Sequence, residues 1–275
     1  MPFSTHGGAK LHWKLEGRSE APPLVLLNSI GTDMDLWAET LPLLRPHFRP
    51  LRIDTRGHGA SEATPGDYNL GMLAGDILAV MDDAGIDRAH VAGVSLGGMI
   101  AMELAQSHAH RVDGLALVGT SATMDRQAWS DRVAAVRDGG MASIADLAME
   151  RFLSLEYRVT HPDVAATVRH GLETMASNGY AGCAAAIRDM ALRDGLATIA
   201  APTLVVTGMR DTSTPFAGHG DILSDEIPGA RAEAIDAAHL APLEAPAALA
   251  ELLIAHFGPF PEAGRNGLAG AIASP

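Results

Sequence analysis

A single cysteine, Cys183, in 275 residues excludes an internal disulfide. No stretch approaches the roughly 20 unbroken apolar residues that cross a bilayer, and residues 1–10 lack the basic stretch and following apolar core of a secretory leader. These absences predict a cytoplasmic protein with no membrane partner. Cationic side chains are also scarce: 20 Lys and Arg stand against 33 Asp and Glu, a formal net charge of -13. Such a field repels phosphate backbones and anionic membrane surfaces, which argues against a nucleic-acid partner. An anionic substrate would need a local cation to overcome it. Internal repeats and blocks of like charge are absent as well, and none of these features bears on oligomeric state.

The chain does carry an alternation of strand and helix. Residues 24–27, 51–53, 90–94, 114–118, 203–206 and 231–235 are short apolar strand candidates, and 9–15 reads as an extra edge strand. The clearest helix covers 70–84, where Leu70, Leu73, Ala74, Ile77, Leu78 and Met81 recur at helical spacing and Asn69 can cap the first turn. Alternation of this kind predicts an α/β fold with a mostly parallel central sheet covered on both faces. Residues 121–196 interrupt it with helical patterns alone, so they are expected to form a helical lid over the carboxyl ends of the strands, where open α/β sheets bind ligands. The core would then comprise 1–120 and 197–257. The last segment, 258–275, has Gly, Pro and Ala without periodicity and reads as a tail. A chain of this length can bury a large core.

Chemistry is concentrated where the strand at 90–94 breaks. Gly93-Val94-Ser95-Leu96-Gly97 is a G-x-S-x-G elbow between strand and helix, a turn sharp enough to hold the serine hydroxyl out at the top of a sheet. A serine is a poor nucleophile without a base, and the base needs a buried acid to fix its tautomer. His239, the one histidine between the last strand and the closing helix, is the expected base, and Asp211, just beyond the strand at 203–206, the expected acid. Asp236 is the rival acid, but it shares a loop with the base. The chain order Ser95, Asp211, His239 is that of α/β hydrolases.

An oxyanion hole would take the backbone N–H groups of Leu96, at the start of the helix, and Ile30, in the loop after the strand at 24–27. Asp54-Thr55-Arg56-Gly57-His58-Gly59-Ala60-Ser61 reads mainly as structure: glycines permit a turn, while Asp54 and Arg56 tie neighbouring loops. His108 and His110 form an H-x-H pair with no Asp, Glu or Cys cluster beside them, so no metal site is expected. Cys183 reads as a small buried side chain in an Ala-rich helix.

Together, Asn28-Ser29-Ile30-Gly31-Thr32-Asp33, the block at 54–61, Gly93-Val94-Ser95-Leu96-Gly97-Gly98-Met99, Gly179-Tyr180-Ala181-Gly182 and Ala237-Ala238-His239-Leu240 resemble the 3-oxoadipate enol-lactonase branch of the α/β-hydrolase family. The resemblance spans about residues 24–257. It implies the α/β-hydrolase fold with the lid inserted after the sixth strand, and hydrolysis of an enol-lactone in aromatic catabolism through an acyl-enzyme, without a cofactor. It also implies an anionic small-molecule substrate with a free carboxylate. Trp129 and Arg132 fall where the family carries a Trp and an Arg. Three residues apart on a helix they share a face, so Arg132 could pair with the carboxylate while Trp129 walls the ring. Leu96 departs from the Met usual after the nucleophile, which alters a pocket wall and leaves the N–H in place. A carboxylesterase or a lactonase for another substrate is the alternative, and a non-catalytic ligand sensor on the same fold a remote one.

Overall fold

The computed structural model describes residues 2–258, so most of the segment read as a tail lies outside the described residues. Eight strands form one sheet: β1 (Phe3–His6), β2 (Ala9–Leu15), β3 (Pro23–Leu27), β4 (Arg49–Ile53), β5 (Ala89–Val94), β6 (Val112–Val118), β7 (Thr203–Gly208) and β8 (Arg231–Ile235), in the order β1-β2-β4-β3-β5-β6-β7-β8. The pairs β1–β2 and β2–β4 are antiparallel, and every other pair is parallel. The central strands read as continuous apolar runs because both their faces are covered. Leu24 to Leu27 of β3 and Leu115 to Val118 of β6 are all buried. At the open edge, β8 is exposed along most of its length and carries Arg231 and Glu233, charges that discourage pairing with another chain. The seven expected strands are present. β1 was not anticipated, because four residues of sequence Phe-Ser-Thr-His carry no alternation to read; pairing with β2 makes it a strand.

Eleven α-helices lie within the described residues: α1 (Leu41–Leu44), α2 (Leu70–Asp83), α3 (Leu96–Ser107), α4 (Arg126–Gly139), α5 (Ala145–Phe152), α6 (Leu155–Thr160), α7 (Pro162–Thr174), α8 (Ser177–Arg188), α9 (Asp221–Glu226), α10 (Ala241–Glu244) and α11 (Pro246–Phe257). Asn69 caps α2 as expected, its side chain accepting from Met72 N–H at 2.8 Å. Strand order runs from β3 outward to β4, then back across β3 to β5 and β6. Right-handed crossovers therefore put α1 on one face and α2 and α3 on the other. Accordingly α2 packs on α3, and α1 on α11. The reversal between β3 and β5 is the switch point where open α/β sheets bind ligands. The loop at Asn28 and the serine at 95 leave from the two strand ends that flank it.

Between β6 and β7 the chain is helical, as expected for an insert. Within it α4 lies against α8, and α8 meets the core backbone to backbone at Gly57. A Cβ on Gly179 of α8 would stand 2.6 Å from the Gly57 Cα, and one on Gly57 would stand 2.4 Å from the Gly179 Cα. A side chain at either position would force α8 and the loop at Gly57 apart. Tyr68 N–H to Gly182 O at 3.1 Å and Leu240 N–H to Phe152 O at 3.0 Å fasten it further.

Candidate active site

Ser95 stands at φ 55°, ψ -116°, and among the described residues it is the one non-glycine with positive φ. Backbone bonds hold it there. Its N–H donates to Val118 O at 2.9 Å, and its own carbonyl accepts from Met99 N–H and from the Thr120 hydroxyl. The glycines of the elbow are needed because helix crosses strand too closely for side chains: a Cβ on Gly93 would lie 2.2 Å from the Gly97 carbonyl, and one on Gly97 2.6 Å from Leu27 O. A strained residue fixed by its surroundings is a mark of a functional position.

Asp211 and His239 meet beside it. The His239 Nδ1 lies 2.9 Å from Asp211 Oδ2, with both side chains buried. Asp211 accepts three further bonds, from the backbone N–H groups of Ser213 and Thr214 on Oδ1 and from the Thr214 hydroxyl on Oδ2. Burial pushes its pKa up, but the charge of His239, the hydrogen bond to it and the two backbone donors outweigh that, holding Asp211 at about 2. The carboxylate is therefore ionised and accepts a hydrogen bond from His239 Nδ1–H, which leaves Nε2 of the neutral ring as an acceptor. Asp236, the rival acid, is exposed and pairs with Arg210 at 3.0 Å. Asp211, on a separate strand end, is the acid that reaches the histidine. Thr214 went unnoticed in the sequence, although a Thr three residues after an Asp is a recognisable local hydrogen-bonding signal. Phe152 also went unnoticed; its ring stacks on His239, centroids 6.3 Å apart and planes at 13°.

The backbone N–H groups of Ile30 and Leu96 have no acceptor among the described residues, whereas that of Gly31 donates to His58 Nε2 at 3.0 Å. His58 is buried, which pulls its pKa down to about 4. Its Nδ1–H donates to Arg56 O at 3.1 Å, so Nε2 is free to accept. The block at 54–61 is thus structural, as expected. Asp54 accepts from Met34 N–H, Ala60 N–H and His12, and Arg56 pairs with Asp76. What the sequence did not show is that His58 removes the neighbouring N–H and leaves Ile30's unpaired. Cys183 is buried, its thiol pushed up by burial.

Ser95, His239, Thr214 and Ile30 line one cavity of about 30 Å³, room for little more than a water molecule. No hydrogen bond joins Ser95 to His239 among the described residues, although both face this space. The insert closes it with Trp129, Arg132, Arg151 and Phe152. Trp129 and Arg132 share a face of α4, the guanidinium 5.1 Å from the indole centroid. Arg151 was missed, although its place on α5, three residues after buried Ala148 and next to buried Phe152, puts a charge at the edge of an apolar face. A larger groove of about 1130 Å³ lies beyond Gly31, between α6, α7 and the loop after β3. It is lined by Asp33, Asp35, Glu39 and Asp163, carboxylates that repel anions, and has no serine or cysteine.

Fold, elbow and hydrogen-bonded Asp–His pair define an α/β hydrolase, and residues 22–246 match the model of the alpha/beta hydrolase fold family. The chain belongs to that family. Among its relatives is 3-oxoadipate enol-lactonase 2 of Acinetobacter baylyi, 30% identical over 239 residues, which cover 86% of this chain and 89% of that one. Solved structures similar to it include the enol-lactonase from Burkholderia xenovorans LB400, with TM-score 0.90, 36% identity and coverage of 93% of this chain and 99% of that one. A hydrolase from Pseudomonas aeruginosa PA01 matches with TM-score 0.90 and 38% identity, over 94% of this chain and 98% of that one.

Proposed function

We propose that the protein hydrolyses 3-oxoadipate enol-lactone to 3-oxoadipate with Ser95 as nucleophile, His239 as base and Asp211 as the acid that orients it. The observation that carries this reading is a strained serine and an Asp-bonded histidine facing one cavity whose wall includes Ile30, with the unpaired Leu96 N–H next to the serine in the chain. Similarity to enol-lactonases supports the substrate. The insert acts as a lid: its helices close a cavity smaller than a lactone ring, so they must give way to admit substrate.

Ser95 Oγ attacks the lactone carbonyl while His239 Nε2 takes its proton, and the Ile30 and Leu96 N–H groups receive the oxyanion. Collapse breaks the ring C–O bond. The enol oxygen leaves, takes the proton from His239, and the enol tautomerises to the ketone. His239 then draws a proton from water, whose oxygen attacks the acyl-enzyme; collapse returns the proton to Ser95 and frees the acid. Arg132 holds the substrate carboxylate and Trp129 walls the ring. An esterase for neutral acyl groups would use the same three residues and leave Arg132 without a task.

The test is loss of the lactone's ultraviolet absorbance with purified protein, beside p-nitrophenyl acetate as a neutral ester and Ser95→Ala as control. Efficient lactone turnover with slow ester cleavage is expected, and Ser95→Ala should cost on the order of 10⁴-fold or more with folding intact. Fast ester cleavage without lactone turnover would keep the mechanism and discard the substrate.

A further inference from the structure

The insert side of the cavity holds more donors than acceptors. Arg132 Nη1 donates to the Tyr180 hydroxyl at 3.2 Å, while Arg132 Nη2 is buried with no partner. A guanidinium can only donate, so Tyr180 is the acceptor in that bond. The tyrosine's own proton has no acceptor among the described residues, although its side chain is fully buried. Arg151 lines the same cavity from α5 and makes no ion pair or hydrogen bond among the described residues. Its positive charge, like that of Arg132, is felt at the Tyr180 phenol. Several other arginines are paired with carboxylates: Arg52 with Glu16 and Asp35, Arg56 with Asp76, Arg188 with Asp67 and Asp189. In a chain with 33 carboxylates and 20 cationic side chains, two arginines facing the same small space without a carboxylate form a receptor that lacks its anion.

We infer that Arg151 and Tyr180 complete, with Arg132, a carboxylate subsite on the insert, through which the enzyme selects acyl groups that end in a carboxylate. This rests on the hydrolase reading above, and adds two residues to it. Arg132 Nη2 and the Arg151 guanidinium supply the charge-assisted bonds, and Tyr180 fixes Arg132 and offers its O–H. Arg151 is exposed, at the mouth of a cavity whose other guanidinium is half-buried. It therefore meets the anion first and closes over it. The same subsite retains the dicarboxylate product, so a saturated dicarboxylate should inhibit.

The probe is adipate, tested as a competitive inhibitor of p-nitrophenyl acetate cleavage. Arg151→Ala should raise the inhibition constant by about tenfold to a hundredfold, the range of a lost hydrogen bond to a charged group. Arg151→Lys should recover part of that loss, and Tyr180→Phe should raise the constant by a few-fold. Arg88→Ala removes the same charge from an exposed pair with Asp113 on the molecular surface, and should leave inhibition at the wild-type level. An equal effect of Arg151→Ala and Arg88→Ala, or adipamide inhibiting as well as adipate, would overturn the subsite. If the ester is not cleaved at all, the nucleophile assignment fails instead. Calorimetric titration of adipate into wild type, Arg151→Ala and Arg88→Ala then decides the subsite separately, with the same ordering expected.

Discussion

On the sheet side of the cavity Asp211 receives four hydrogen bonds, whereas across from it Arg132 makes one and leaves a buried nitrogen unpaired, and Arg151 makes none among the described residues. The carboxylate in the first wall is satisfied without a ligand. The groups of that wall come from strand ends of a buried parallel sheet, and the residues around Asp211 supply the donors its buried carboxylate needs. The second wall is built from insert helices and is satisfied only when something anionic arrives. Preorganised chemistry thus faces a recognition surface whose missing partner belongs to the ligand. An acid of pKa about 2 can be held ionised in the one place because the bonds that hold it are all internal. The guanidiniums opposite have no such internal counter-charge.

The sharpest way to break this contrast is at the two aspartates. Asp211→Asn should lower kcat by about 10⁴-fold, since an amide cannot hold the imidazole in its Nδ1–H form. Asp236→Asn, which loses only a surface pair with Arg210, should stay within a few-fold of wild type. Steady-state rates on one ester compare them directly, and similar losses in both would show that the hydrogen bond at 2.9 Å is not what activates His239.

A second test concerns His58, which ties the loop carrying Ile30 to the core. Its pKa falls from 6.5 unfolded to about 4 folded, so the unfolded chain binds the proton first. Its contribution is intact above about pH 6.5 and is lost as pH falls toward 4, amounting to about 3 kcal/mol at 1.36 kcal/mol per pKa unit. Protonation also turns the acceptor for Gly31 N–H into a donor. Urea unfolding of wild type and His58→Gln between pH 7 and 4 should show wild type losing stability relative to the variant over that window. Parallel curves would remove the buried neutral histidine from the account.

The smallest effect is expected at the joint between the walls. Gly179→Ala places a methyl group 2.6 Å from Gly57, an overpacking that should cost about 1–3 kcal/mol in chemical unfolding. It should also slow lactone turnover by shifting α8 and with it Tyr180. Wild-type stability in this variant would mean that the insert is not seated on that contact.

How much could be read beforehand follows the same division. The elbow, the strand candidates and the Asp and His after the last two parallel strands were legible because a buried sheet writes itself as apolar runs and its chemistry falls at their ends. Asn69 and Cys183 were legible for local reasons, a cap and a small side chain among alanines. Thr214, Phe152, His58 and Arg151 were not read as parts of the site, because each acts through residues brought near by folding. Phe152 lies 87 positions from the His239 ring it stacks on, and His58 lies 27 from the Gly31 amide it removes.

Sequence alone determined seven of the eight strands, the sharp turn at Ser95 and the identity of three residues able to act as nucleophile, base and acid, since these depend on periodicity and on glycines at fixed offsets. Only the tertiary structure brought Asp211 rather than Asp236 to His239, left the Ile30 and Leu96 N–H groups without acceptors, set Arg132 against Tyr180 and put Arg151 on the same cavity. Those are distances between segments far apart in the chain, set by how the helical insert sits on the sheet.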